Sequence, residues 1–239
     1  MVDQSPLHIS RSLLAAMGTR LFVHHEDRIP DDAAVLVVSN HRSFMDAPLL
    51  MAALGRPIRI ACHHYMGQVP VMREIVTQLG CFPLEEPHHR QQNFFAQATQ
   101  LLQQHHWVGV FPEGAQPMVH LTKPLEMGKF HRGFAHLALR VPVRDLAILP
   151  VAIASLEETV NWTVPLRLLR LFDPSEPLFE QPGLHPMVLQ RRVTVLVGHP
   201  YWIKPKHREL YQGKQAKSVV SQIANTSLDE IAKLLYQSC

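Results

Sequence analysis

The segment Ala34–Leu54, AVLVVSNHRSFMDAPLLMAAL, opens with a continuous apolar and β-branched run to Ser39. It closes, from Ser43 on, in a helix-forming composition. An unbroken apolar run this short fits a strand buried on both faces, as in a parallel sheet. Between strand and helix stand Asn40, His41 and Arg42, and Asp46 follows His41 by five positions. Ser43 is placed to cap the helix.

The same alternation continues outward. Strands are predicted at Ile58–Cys62, at CFPLE after Gly80, at Trp107–Phe111, Leu146–Ile153 and Arg192–Gly198. Helices are predicted at Val71–Gly80, Gln92–His105 and Lys129–Val141, with an amphipathic one from Lys214 to Gln237 closing the chain. Pro165 to Pro186, rich in proline, reads as a long surface excursion. Strands separated by helices predict an α/β fold, a single layered domain with a mostly parallel central sheet flanked by helices. Such sheets bind ligands at the carboxyl ends of their strands, and His41 and Glu113 each lie just past one.

Composition narrows the function. A chain of 239 residues, 46% hydrophobic, is long enough for one sizeable core. Net charge is +3 and pI is near 8.9, a mild basicity that does not suggest a nucleic-acid partner. Cys62, Cys81 and Cys239 are odd in number and lack Cys-x-x-Cys spacing, which fits a reducing, cytosolic compartment. Histidine pairs occur at 24–25, 63–64, 88–89 and 105–106, but none has acidic or cysteine partners at metal-ligand spacing, so no metal is expected.

No apolar run approaches the roughly 18 to 20 residues needed to span a bilayer. The N-terminus carries Asp3 and no secretory pattern, so neither secretion nor spanning is expected. In SRSLLAAMGTRLF, residues Leu13, Leu14, Met17, Leu21 and Phe22 share one helical stripe beside Arg11 and Arg20. That stripe suits either a helix lying on a membrane surface or one packed on the core. The first reading divides the chain into residues 1–33, an amphipathic membrane-surface segment, and residues 34–239, the catalytic domain.

A histidine in the loop after a strand is partly exposed, and an aspartate in the next helix's first turn can reach its ring. The carboxylate would fix the tautomer through Nδ1 and leave Nε2 as a base. The alternative is an Asp46 that only favours the helix N-terminus, with His41 a surface turn residue.

Several segments together carry a resemblance. NHRSFMD is similar to the Asn-His-x-Ser-x-x-Asp signature of the glycerolipid acyltransferases, the family that includes lysophosphatidic acid acyltransferase. VFPEGAQP resembles that family's Phe-Pro-Glu-Gly block. KFHRGFAHLA, ILPVAI and VLVGHP resemble its later segments, in family order, over residues 35 to 200. The resemblance implies that His41 is the general base and that Asp46 orients it. It implies that Glu113, with Gly114 allowing close backbone approach, helps hold the acceptor. The implied reaction moves a fatty acyl group from acyl carrier protein or coenzyme A, as co-substrate and without a bound cofactor, to a glycerolipid hydroxyl. No covalent acyl-enzyme is implied, so Ser43 is read as a cap. The implied location is peripheral, on the inner face of a membrane.

The departures concern phosphate. Where the family often has a basic residue this chain has His63 after the second strand, Glu86 after the third, and Ala115, Gln116 and Pro117 after Gly114. A phosphate dianion needs charge-assisted donors; Gln116 offers neutral ones and Glu86 would repel it. Arg132, Lys129, Arg90, His63 and His64 remain as candidate cations. A phosphate-free acceptor, or a lipid-binding relative without turnover, are the alternatives.

Overall fold

The computed structural model describes residues 5–84 and 87–238. The chain begins with α1 (Ser5–Ala16) and β1 (Arg20–His24), and then enters β2 (Ala34–Ser39), all six of whose residues are buried. After α2 (Asp46–Leu54) come β3 (Ile58–Cys62), α3 (His64–Gln68), α4 (Pro70–Gln78), β4 (Phe82–Pro83), α5 (Pro87–Gln103) and β5 (Trp107–Val110). The second half holds α6 (Gly133–Arg140), β6 (Leu146–Pro165), α7 (Leu166–Leu169), β7 (Leu184–Val197), β8 (Tyr201–Trp202), α8 (Pro205–Gln212) and α9 (Ala216–Gln237). The sheet order is β1-β7-β6-β2-β5-β3-β4, with β8 beside β6. Pairing from β6 through β2, β5 and β3 to β4 is parallel, whereas β7 and β8 run antiparallel to β6.

Strand alternation sorts β2 into two layers. Leu36 and Val38 pack with Phe134 and Leu137 of α6 and Ile223 and Ile231 of α9. Val35 and Val37 face the other way, onto Leu7 and Leu14 of α1 and Leu49 and Leu50 of α2. A strand clothed on both faces needs apolar residues at every position, which is why AVLVVS is continuous.

The N-terminal stripe is corrected. Helix α1 stops at Ala16, and Leu21 and Phe22 stand on β1, which pairs parallel with β7 in the register Leu21↔Val193. Leu14 is buried, and Ser10 bonds the Met51 sulfur of α2. Helix and strand therefore pack with the same core and sheet that follow residue 33. Leu14→Ala should lower unfolding free energy by about 3 kcal/mol, the usual cost of a large-to-small change in a packed core. Urea denaturation measures it.

Ser43 keeps a capping contact while doing a second job. Met45 directly precedes α2 without a side-chain cap bond of its own, Ser43 Oγ accepts the Met45 N–H at 3.2 Å, and the same hydroxyl donates to Val188 O at 2.6 Å. The excursion after Pro165 is more ordered than a bare loop. Its Leu166, Leu169 and Phe179 form a small core with Met66, Val69 and Val119.

Candidate active site

Past the end of β2, Asn40 behaves like one more strand residue. Its amide donates to Ile153 O at 2.9 Å and accepts from Ile153 N at 2.8 Å, fastening the loop to β6. The next peptide N–H, of His41, donates to Glu113 Oε1 at 2.7 Å. Thus the loop after β2 and the loop after β5 are joined at the histidine itself.

His41 Nδ1 lies 2.8 Å from Asp46 Oδ2. The same oxygen accepts the peptide N–H groups of Arg42 at 2.6 Å and Ser43 at 2.8 Å. A carboxylate held by three donors is fixed in position, and it makes the Nδ1–H tautomer the favoured one. The ring stacks on Phe111 at 4.4 Å between centroids, and the histidine side chain is 21% exposed while Asp46 is fully buried. Nε2 carries no hydrogen bond among the described residues, which leaves it the ring nitrogen available to a bound group.

Among the described residues, Ser43, Cys62 and Cys81 are not poised as nucleophiles. Ser43 Oγ is committed to Val188 O, and burial pushes the Cys62 thiol up to about 12 and the Cys81 thiol higher still. Thiols held protonated are poor nucleophiles. The arrangement suits general-base transfer between two bound substrates, without a covalent enzyme intermediate.

Glu113 sits beside His41 but in a structural posture. It is buried, and while Oε1 takes His41 N, Oε2 takes the N–H of Gly128. Burial pushes its carboxyl above the usual range, against the pull of those two N–H groups and of His41. The carboxylate organises the loop before it meets any acceptor. Gly114 follows in a left-handed turn at φ +66, which glycine adopts without strain, and a Cβ there would stand 3.5 Å from the His131 ring.

The proposed acceptor cations are scattered. Gln116 is exposed at the start of a turn of 3-10 helix. Arg132 is exposed and donates to Ser221 Oγ on α9 at 2.9 Å. His63 has a side chain only 8% exposed, with Nε2 2.8 Å from Glu176 and Nδ1 3.6 Å from Asp173, so its ring is already engaged by two carboxylates. His64 Nδ1 turns to Leu84 O. Lys129 is exposed on the loop before α6. Glu86 and the side chain of Arg90 lie outside the described residues. No cluster of three or more potential metal ligands occurs among the described residues.

One constellation was not foreseen. Arg42, buried beside the dyad, grips Glu158 with Nε and Nη2 and donates Nη1 to Thr122 O at 2.7 Å. Burial opposes the Glu158 charge, but the Arg42 bonds outweigh it and hold the carboxyl below the usual range. The motif displayed Arg42, but nothing local pointed to a partner on the far half of β6.

The sequence model of the family described as Acyltransferase matches residues 20–154, which include His41, Asp46 and Glu113. This chain belongs to the acyltransferase family. No curated protein matches it. Among solved structures, the 1-acyl-sn-glycerophosphate (LPA) acyltransferase PlsC from Thermotoga maritima is similar. The likeness covers 95% of this chain and 78% of that one, at 16% identity and a TM-score of 0.55. At that identity the likeness speaks for the fold, an α/β domain with a mostly parallel sheet.

Proposed function

We propose that this acyltransferase moves a fatty acyl group from the thioester of acyl carrier protein or coenzyme A to a hydroxyl of a glycerolipid such as lysophosphatidate. The observation that carries the reading is the His41–Asp46 pair, with Nε2 free of hydrogen bonds among the described residues and the neighbouring Ser43 hydroxyl engaged by Val188 O. Nε2 takes the proton of the acceptor hydroxyl as its oxygen attacks the thioester carbon. The tetrahedral oxyanion then collapses, the C–S bond breaks, and the departing thiolate recovers a proton from the imidazolium. Asp46 stabilises that imidazolium throughout. No helix among the described residues is long and apolar enough to cross a membrane, and we place the enzyme peripherally, on a cytosolic membrane face. Purified protein assayed with both thioester donors against a panel of acceptors tests the proposal. Absence of ester formation with every lysolipid in the panel would overturn it.

A second reading, an acceptor without phosphate, is favoured by His63 facing Asp173 and Glu176 and by the neutral Gln116. On that reading lysophosphatidate is a poor acceptor, and Gln116→Arg improves its kcat/KM by about tenfold through a charge-assisted contact. Glu86→Arg should add to the gain if position 86 faces the acceptor. If Arg132 already serves the phosphate, wild-type turnover of lysophosphatidate is efficient and Arg132→Ala raises KM severalfold. Steady-state kinetics on these variants separates the two.

A further inference from the structure

Leu14 is buried and Leu21 partly so, and Phe22, 48% exposed on β1, stands without the other members of its stripe; the largest group of exposed apolar side chains lies elsewhere. It gathers at the tip of the arm formed by the outer halves of β6 and β7 and by α7. Trp162, Val164, Leu168, Leu171, Phe172 and Leu184 are all exposed there, Leu171 by 76% and Trp162 by 55%. Register keeps them together, since Trp162 pairs with Pro186 and Pro165 with Leu184.

The tip has a small core of its own. Leu166 and Leu169 point inward onto Phe179, Met66 and Val69. The intervening Leu168, with Leu171 and Phe172, is thereby turned out beside Arg167 and Arg170. Glu180 pairs with Arg170 at 3.3 Å with both side chains more than half exposed, while Arg167 has no ion pair among the described residues. Outward leucine and aromatic side chains interleaved with arginines are the composition of an interfacial segment.

The arm also stands on the correct side. β6 runs parallel to β2 with Val151 opposite Ser39, so its continuation leaves the sheet at the end where β2 hands over to His41. Asn40 and Arg42 touch β6 at Ile153 and Glu158, further along the same strand.

We propose that the arm tip docks on an anionic phospholipid bilayer, Trp162, Leu168, Leu171 and Phe172 entering the interface while Arg167 and Arg170 meet lipid phosphates. The inference rests on the acceptor being a membrane lipid, and it turns the end of the sheet that carries the dyad toward the bilayer that supplies it.

Vesicle sedimentation of the full chain tests the surface. Binding to phosphatidylglycerol vesicles should exceed binding to phosphatidylcholine by about tenfold or more. Trp162→Ser with Leu171→Ser should weaken it about tenfold or more. Arg167→Gln with Arg170→Gln should remove most of the anionic preference, and Leu14→Ala should leave binding unchanged. In a Trp202→Phe protein, which keeps the arm native, brominated lipids should quench Trp162 fluorescence. Undiminished binding by the double serine variant, or no quenching, overturns the proposal. So does a dimer in sedimentation velocity that the serine variant converts to monomer, since a second copy would then own this surface. Vesicle binding is read without turnover. Protein that binds anionic vesicles but acylates no lysolipid would therefore refute the acceptor reading and leave the docking surface standing.

Discussion

His41→Ala is expected to lower the rate of acyl transfer by a factor on the order of 10^3 to 10^4, the range that a positioned base contributes with its charge partner. The fold should survive, because the ring is partly exposed and its one side-chain hydrogen bond among the described residues is to Asp46, whose carboxylate keeps the Arg42 and Ser43 N–H groups. Asp46→Asn should fall by a similar factor for a different reason. The amide still fills the space, but it cannot stabilise the imidazolium, and it can present an N–H to the peptide donors of Arg42 and Ser43. Single-turnover transfer, with circular dichroism to confirm folding, is the measurement. A folded His41→Ala protein that transfers at near the native rate sinks the base assignment, and the direct mechanism with it.

Glu158→Ala is expected to act on both stability and rate. Arg42 and Glu158 are 4% and 11% exposed, and removing one member of a buried ion pair strands the other. The expected loss is on the order of 3 kcal/mol. Since the Arg42 peptide N–H is one of the three donors on Asp46, loosening the side chain should also displace the dyad, lowering kcat by about 10^2 with less effect on KM. Arg42→Met combined with Glu158→Leu should recover much of the stability without the rate, which separates positioning from folding. The pH dependence has a definite sign. Glu158 has its folded pKa held down, so its contribution is fully present above the unfolded glutamate value of about 4.3. It is lost as pH falls through the lower folded value. Acid unfolding of wild type and Glu158→Gln should therefore converge below that point.

What was legible in the sequence follows from covering and distance. β2 and β3 were bounded correctly because β2 is buried on both faces and β3 lies between two strands. β6 was expected to stop at Ile153, where the polar residues Glu157, Glu158 and Asn161 begin. It continues to Pro165 because β7 still pairs with it once the layer of helices has ended. α8 was missed altogether; it buries no residue, so it leaves no apolar period to read. α6 begins at Gly133 and not Lys129, since residues 128–131 stay outside the helix and give the Gly128 and His131 N–H groups to Glu113 and Pro112. The dyad was readable because both partners lie within six residues of chain. The Arg42–Glu158 bond spans 116 positions, and no local pattern records a contact that only sheet topology creates.

The length of β6 also bears on where this chain can be cut. The segment that matches the family ends at residue 154, in the middle of that strand. A fragment cut there would keep His41, Asp46 and Glu113 but lose Glu158, which neutralises Arg42, and Val188, which receives Ser43. It would also lose β7, the strand through which β1 joins the sheet, and α9, whose Ile223 and Ile231 close one layer of the core. Any shortened form of this acyltransferase should therefore keep the chain through α9, because the stretch recognisable by kinship is shorter than the stretch that holds the site in place.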